Sequence, residues 1–146
     1  MRTALFAVVL LAGASTASAH VTVWPHESKA GAGERYTVRV PTEGQVTTTS
    51  IELEVPADLR VTGVLVGGTF TYDLRREGDR IVAVTWTQDI KPGETAEFVL
   101  FGVNPKTVSQ VAWKVHQRYA DGTSADWTGV EGDRRPASVT KLVGGR

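Results

Sequence analysis

Short segments in which apolar and polar residues alternate run along this sequence almost from end to end. In one of them, Ile51 and Leu53 share one face, whereas the glutamate between them, Glu52, lies on the other. Successive side chains of a strand point to opposite faces, so a period of two predicts half-buried strands. Since no segment combines a helical period with capping residues, the pattern predicts an all-β chain.

Turn residues separate these segments at regular intervals. The clearest turn sequences are Glu77-Gly78-Asp79, Lys91-Pro92-Gly93-Glu94 and Asp121-Gly122. The predicted strands cover residues 21–24, 35–40, 47–55, 60–66, 69–75, 80–87, 95–103, 108–119, 124–127 and 137–143. Many short strands joined by regular turns predict an antiparallel β-sandwich.

The first 19 residues have the parts of a secretory signal peptide. Arg2 supplies the charge, residues 4–12 are apolar, and Ala17-Ser18-Ala19 is a small-residue cleavage site. The apolar stretch is much shorter than the roughly 20 residues of a membrane span, which disfavours the alternative of an uncleaved anchor. We expect cleavage after Ala19, a mature domain from 20 to 146 without a membrane anchor, and a periplasmic or extracellular location.

The predicted mature domain contains no sulfur. The sequence has no cysteine, and its single methionine, Met1, lies in the predicted signal peptide. The domain therefore has neither a disulfide nor a thiolate for a soft metal ion. Any transition-metal site in it has to use nitrogen and oxygen donors.

The charge of the mature domain is nearly balanced. Of the 16 basic residues, Arg2 leaves with the signal peptide, so fifteen remain against 16 acidic residues. Binding to nucleic acid or to an anionic membrane depends on clustered positive charge. We therefore expect neither kind of partner.

Cleavage after Ala19 would place a histidine, His20, at the mature N-terminus. Its α-amine and Nδ1 can close a chelate ring on one metal ion, and an α-amine with a pKa of about 7.7–8 releases its proton easily to a metal. If the first two strands form a hairpin that turns around Ala30, His20 lies opposite Val40. Glu43, in the loop after that strand, is then the best-placed carboxylate.

Four sequence segments resemble the YcnI-like bacterial copper-binding proteins. They are His20-Val21-Thr22-Val23-Trp24-Pro25, Tyr36-Thr37-Val38-Arg39-Val40-Pro41-Thr42-Glu43, Ile90-Lys91-Pro92-Gly93-Glu94, and Tyr119-Ala120-Asp121-Gly122 before Trp127. The resemblance implies an immunoglobulin-like or fibronectin type III-like sandwich that binds one Cu(II) in a single-histidine brace. It further implies that His20 gives its amine and Nδ1, that Glu43 gives its carboxylate, and that Trp127 lies against the metal.

Simpler interpretations of the same residues remain open. By residue type alone, Glu43 is more often a loop carboxylate and Trp127 more often a core residue. His26 follows a proline and is expected to be a solvated turn residue. His116 lies on a predicted strand and is expected to be exposed or hydrogen-bonded rather than a metal ligand.

The function expected from the resemblance is that of an exported copper-binding protein and not of an enzyme. It would act in copper homeostasis or as a metallochaperone, with a copper transporter or a copper-accepting protein as partner. One alternative is a copper-dependent oxidative enzyme similar to polysaccharide monooxygenases, which needs a second histidine in the site. Another is a metal-free adhesive sandwich, which the fold permits because fold does not determine function.

Overall fold

The computed structural model describes residues 19–144, and this part of the chain is built from strands. The strands are β1 (Thr22–Trp24), β2 (Glu27–Lys29), β3 (Gly33–Pro41), β4 (Thr48–Glu54), β5 (Arg60–Val64), β6 (Thr71–Glu77), β7 (Arg80–Ile90), β8 (Thr95–Val103), β9 (Gln110–Tyr119), β10 (Ser124–Trp127) and β11 (Ser138–Val143). The predicted signal peptide lies outside the described residues except for Ala19. Between residues 19 and 144 we find no helix with the length and hydropathy needed to cross a membrane.

Two sheets form the sandwich. One sheet has the order β1-β3-β8-β5, and the other has the order β2-β11-β9-β4-β7-β6. Strand β10 pairs with β9 over Val115 to Arg118, and β11 pairs with the same strand over Gln110 to Trp113. The two short strands therefore follow each other along one edge of β9, while β4 occupies the opposite edge. All pairings are antiparallel except that of β2 with β11.

Aromatic side chains from both sheets meet in the core. Trp86 of β7 stacks on Phe98 of β8 with ring centroids 5.1 Å apart. Tyr36 of β3 contacts Trp113 of β9 at 4.6 Å between ring centroids. All four rings are almost fully buried. The apolar faces predicted from the alternation are thus the faces that join the two sheets, and the predicted all-β sandwich is confirmed.

A buried polar cluster closes the sandwich at the beginning of β3. The Tyr36 hydroxyl donates to Oδ1 of Asn104 at 2.5 Å, and Nδ2 of Asn104 donates to Ser28 Oγ at 2.8 Å and to the Lys29 carbonyl at 2.9 Å. Burial raises the pKa of Tyr36 to about 12. The cluster's residue on β3, Tyr36, lies five residues before the end of the strand at Pro41, or about 17 Å at roughly 3.3 Å of rise for each strand residue.

The connection between β1 and β3 differs from the predicted hairpin. The chain leaves β1, forms β2 alongside β11 in the other sheet, and only then enters β3. Thr22 pairs with Arg39 and Trp24 with Thr37, so continuation of this register places His20 opposite Pro41 rather than Val40. The predicted register was wrong by one residue because the excursion through β2 replaces a simple turn. Glu43 still follows directly beyond the end of the pair.

Candidate metal centre

His20 precedes strand β1, which is held on two sides. Val21 and Val23 are buried, and Val23 pairs with Val38 of β3. On its other side, Ser138 Oγ accepts a hydrogen bond from the Val23 N–H at 2.9 Å and donates to the Val23 carbonyl at 3.3 Å. The residues before β1 therefore emerge from an anchored point at the end of the sandwich.

The residue before Glu43, Thr42, has all of its polar groups hydrogen-bonded. Thr42 donates its N–H to the Glu94 carbonyl at 2.9 Å, and its carbonyl accepts from the Gly93 N–H at 3.0 Å. Gly93 has a φ of 84°, a conformation that glycine adopts without strain in the turn before β8. The Thr42 hydroxyl lies 2.7 Å from the Thr48 hydroxyl. Glu43 itself is exposed, so its carboxylate is free of the core while the residue before it is fixed.

The Glu43 carboxylate lies against the main chain next to His20. The N–H of Ala19 donates a hydrogen bond to Oε1 of Glu43. In the predicted mature protein Ala19 is absent, and the nitrogen of His20 becomes the terminal amine. The structure therefore places the carboxylate one residue before the nitrogen that would become that amine.

Trp127 lies on the other side of His20. It is the last residue of β10 and is 7% exposed, and its ring centroid is 5.4 Å from that of the His20 imidazole. The two ring planes are inclined by 54°. The indole N–H donates to Oε1 of Gln117 at 3.1 Å. Trp127 is thus a core residue, as the simpler interpretation has it, and it also contacts the candidate site.

Tyr119 brings further polar groups to this end of the sandwich. Burial raises the pKa of Tyr119 above its usual value. The positive charge of Arg135 opposes the rise, and the negative charges of Glu43 and Asp121 add to it. Tyr119 therefore lies within electrostatic range of both Glu43 and Arg135.

The other two histidines have different partners. His26 is exposed and contacts the edge of Trp24, with 3.9 Å between ring centroids. His116 Nδ1 lies 2.7 Å from Oδ1 of Asp126, and Nε2 lies 3.0 Å from Oε1 of Glu54. His116 is thus a hydrogen-bonded strand residue, as the sequence predicts.

A metal site at His20 would need a main-chain donor. Among residues 19–144, no group of three or more His, Asp or Glu side chains is arranged to hold a metal ion. The His20 imidazole lies beside the Trp127 indole, and the Glu43 carboxylate lies at the main chain of the preceding residue. With an amine at His20, two nitrogen donors and one carboxylate would face a single ion. This donor set fits the nitrogen-and-oxygen chemistry to which a sulfur-free domain is restricted.

Gln117 is the residue of this site that sequence reasoning missed. Val111, Trp113 and Val115 occupy the inward positions of β9, and Gln117 continues that series as a polar residue. It is 1% exposed. A polar residue on an otherwise apolar strand face is informative because buried polar groups need hydrogen-bonding partners. The polar residue in this apolar series was the sequence signal that could have identified Gln117.

Comparisons with known proteins agree with this description of the fold. A solved protein from Nocardia farcinica, described as having an immunoglobulin-like fold, superposes with a TM-score of 0.73 and 26% identity, covering 84% of this chain and 97% of that chain. A non-cellulosomal cohesin from Archaeoglobus fulgidus gives a TM-score of 0.51 at 18% identity, covering 85% of this chain and 90% of that chain, which supports the fold alone. The immunoglobulin-like class implied by the resemblance is therefore confirmed.

Sequence comparison identifies the family. The copper-binding protein CutI of Bacillus subtilis (strain 168) is 34% identical over 137 residues, which are 92% of this chain and 67% of that protein. CutI is named as a copper-binding protein, which agrees with the prediction of a metal-binding rather than an enzymatic protein. The family model described as a domain of unknown function, DUF1775, matches residues 20–142. The chain belongs to the DUF1775 family.

Proposed function

We propose that the chain, after removal of residues 1–19, is an exported protein that binds one Cu(II) through a histidine brace at its N-terminus. The observation that carries the proposal is the hydrogen bond between the Glu43 carboxylate and the N–H of Ala19. It brings a carboxylate to the main chain beside His20, whose ring lies 5.4 Å from that of Trp127. A terminal amine, an imidazole, a carboxylate and an aromatic ring would then surround one ion.

The chemistry of these donors favours Cu(II). Amine, imidazole and carboxylate ligands suit its tetragonal geometry, and Cu(II) binds such sites more tightly than the other divalent first-row metals. The aromatic ring of Trp127 would add a cation–π attraction of about 0.5–2 kcal/mol. A site without thiolate or thioether ligands holds Cu(I) less well, so reduction would favour release of the metal.

We assign the protein to copper homeostasis or copper delivery outside the cytoplasm. The similarity to CutI, which is named as a copper-binding protein, supports copper as the metal. The signal-peptide pattern of residues 1–19 supports export to the periplasm or the extracellular space. A carrier of this kind would exchange its metal with a copper transporter or with a copper-accepting protein.

The oxidative-enzyme alternative has less support. A second histidine ligand would have to be His26 or His116. His26 contacts Trp24, and His116 is held between Asp126 and Glu54 on the strand face opposite to that of Gln117.

Calorimetric titration with Cu(II) tests the proposal on proteins that differ only at the N-terminus. The mature protein that begins at His20 is expected to bind one equivalent. The same protein with its α-amine acetylated keeps the imidazole, Glu43 and Trp127, and is expected to lose most of the affinity. Acetylation is the sharper change, because an added N-terminal residue would bring its own amine and form a different chelate with the imidazole.

A third protein, His20→Ala, keeps the free amine and removes the imidazole, and we expect the same loss. The proposal is wrong if the acetylated protein and the His20→Ala protein both bind Cu(II) as tightly as the unmodified one.

A further inference from the structure

We propose that Gln117 is the positioning residue of the site, which holds Trp127 and the Glu43 loop in register with each other. This inference rests on the proposed copper function. Gln117 lies on the inner face of β9, and its side chain is hydrogen-bonded to Pro41, Thr48 and Trp127. It acts through the two elements that bring Trp127 and Glu43 to the metal.

On one side, Gln117 sets the orientation of the indole. Trp127 Nε1 donates to Oε1 of Gln117 at 3.1 Å across the β9–β10 pair. An indole has a single polar hydrogen, and this bond uses it. The ring is therefore held with its N–H turned to the core, and the hydrogen is engaged away from His20.

On the other side, the same carboxamide holds the loop that carries Glu43. Nε2 of Gln117 donates to the Pro41 carbonyl at 2.9 Å and to the Thr48 hydroxyl at 2.8 Å. Thr48 in turn lies 2.7 Å from the hydroxyl of Thr42. Both residues before Glu43 are thus tied, directly or through one hydroxyl, to Gln117.

Only a carboxamide of this length satisfies both sides. The indole N–H can only donate, and the Pro41 carbonyl can only accept, so the residue between them has to accept at one atom and donate at the next. A carboxylate would set oxygen against oxygen at Pro41, and an aliphatic chain would remove all three hydrogen bonds. The partners also determine the orientation of the amide, with Oε1 toward Trp127.

The test compares Gln117→Met with the wild-type protein starting at His20. Methionine is unbranched and of similar length, so it fills the space without the hydrogen bonds. We expect the Cu(II) dissociation constant to rise by about 10- to 100-fold, the range typical when a group that supports metal ligands is removed. The electron paramagnetic resonance spectrum of bound Cu(II) should change because the ligand geometry is no longer held. In the metal-free protein, the nuclear magnetic resonance signal of the Trp127 indole N–H should shift or broaden.

Asn104→Leu is the matched control. Asn104 is the other buried carboxamide with several partners, and it lies in the polar cluster at the opposite end of the sandwich. We expect Asn104→Leu to lower thermal stability, as Gln117→Met does, while the Cu(II) affinity and spectrum stay at their wild-type values. If the role of Gln117 is purely structural, both variants will lose thermal stability and both will keep the wild-type Cu(II) affinity and spectrum.

The outcomes separate the two proposals. If the wild-type protein binds Cu(II) and Gln117→Met binds it with the same affinity and spectrum, the role of Gln117 is refuted and the copper site stands. If the wild-type protein does not bind Cu(II), the proposed function fails and the role of Gln117 toward a metal fails with it.

A milder variant applies if Gln117→Met does not fold. Thr48→Val keeps the shape of the side chain and removes only the hydroxyl between Gln117 and Thr42. It should weaken Cu(II) binding by a smaller factor and leave the Trp127 indole signal unchanged. Wild-type affinity in this variant would overturn the part of the link to the Glu43 loop that runs through Thr48 and Thr42.

Discussion

The imidazole of His20 and the indole of Trp127 lie with their centroids 5.4 Å apart and their planes inclined by 54°. They come from distant parts of the chain, the residues before β1 and the end of β10. β1, which follows His20, and β10, which ends at Trp127, belong to different sheets, and the two rings meet because both strands reach the same end of the sandwich. Because the two rings are so close, a metal bound at His20 would lie near Trp127. The first prediction follows from this.

Replacement of Trp127 by phenylalanine should affect both stability and metal binding. Oε1 of Gln117 would lose its donor inside the core, at a cost of about 1–3 kcal/mol in the free energy of unfolding. Cu(II) affinity should fall by about 2- to 30-fold, since phenylalanine is a weaker cation–π partner. Urea denaturation and calorimetric titration measure the two effects.

Trp113→Phe is the control for this prediction. Trp113 is fully buried and donates its indole N–H to Thr140 at 3.0 Å, away from His20. It should lose stability to a similar degree and keep wild-type Cu(II) affinity. Equal copper affinities in the two variants would show that Trp127 acts only as a core residue.

Replacement of Glu43 by glutamine should weaken Cu(II) binding and leave the stability of the protein nearly unchanged. The side chain is exposed and the change preserves its shape, so the free energy of unfolding should stay within about 0.5 kcal/mol of wild type. Cu(II) affinity should fall by at least about tenfold, or roughly 1.4 kcal/mol, because a charged oxygen ligand becomes a neutral one. Competition titration with a chelator gives the affinity.

Glu97→Gln serves as the control for Glu43, since Glu97 is also exposed and its carboxylate lies 4.0 Å from Arg39. It should leave Cu(II) binding unchanged. An affinity of Glu43→Gln equal to that of Glu97→Gln would remove Glu43 from the ligand set.

Protonation of His116 should make stability depend on pH. Burial lowers its pKa, but the hydrogen bonds to Asp126 and Glu54 outweigh burial and raise it above 6.5. Both ring nitrogens face carboxylate oxygens, and only the imidazolium can donate to both. The stabilisation is therefore complete below about pH 6.5, the unfolded-state value, and is lost as the pH rises through the higher pKa of the folded state.

Urea denaturation of the metal-free protein between about pH 5 and pH 9 tests this dependence. The free energy of unfolding of the wild-type protein should fall as the pH rises above 6.5, relative to that of His116→Gln. Parallel pH profiles for the two proteins would contradict the assignment of the effect to His116.

Local patterning was enough to predict most of the strands. β8 and β10 begin and end where the alternation places them, at residues 95–103 and 124–127. β5 ends two residues earlier than predicted, at Val64, and β6 begins two residues later, at Thr71. The connection between them contains Gly67 and Gly68, whose φ values of 129° and 84° a strand does not use. A period of two predicts that a strand is present, whereas the exact ends of the strand depend on the conformation of the adjoining turns.

Non-local pairing was beyond the reach of the pattern. β2 has only the three residues Glu27–Lys29, too few to show a period, and its partner β11 lies more than a hundred residues away in the chain. The same omission displaced the expected register of His20 by one residue. The predicted cleavage site indicated His20, the assumed hairpin indicated Glu43, and the family resemblance added Trp127. The structure brings the three to one end of the sandwich. Their role as copper ligands remains a prediction.

The hydroxyl of Ser138 has a consequence for self-association. β1 is the outermost strand of its sheet, and an outer strand offers free main-chain groups to any second chain. At Val23 both groups are already bonded to Ser138, so an incoming strand would have to displace that side chain. The outer strand β1 is thereby protected from edge-to-edge aggregation at that point.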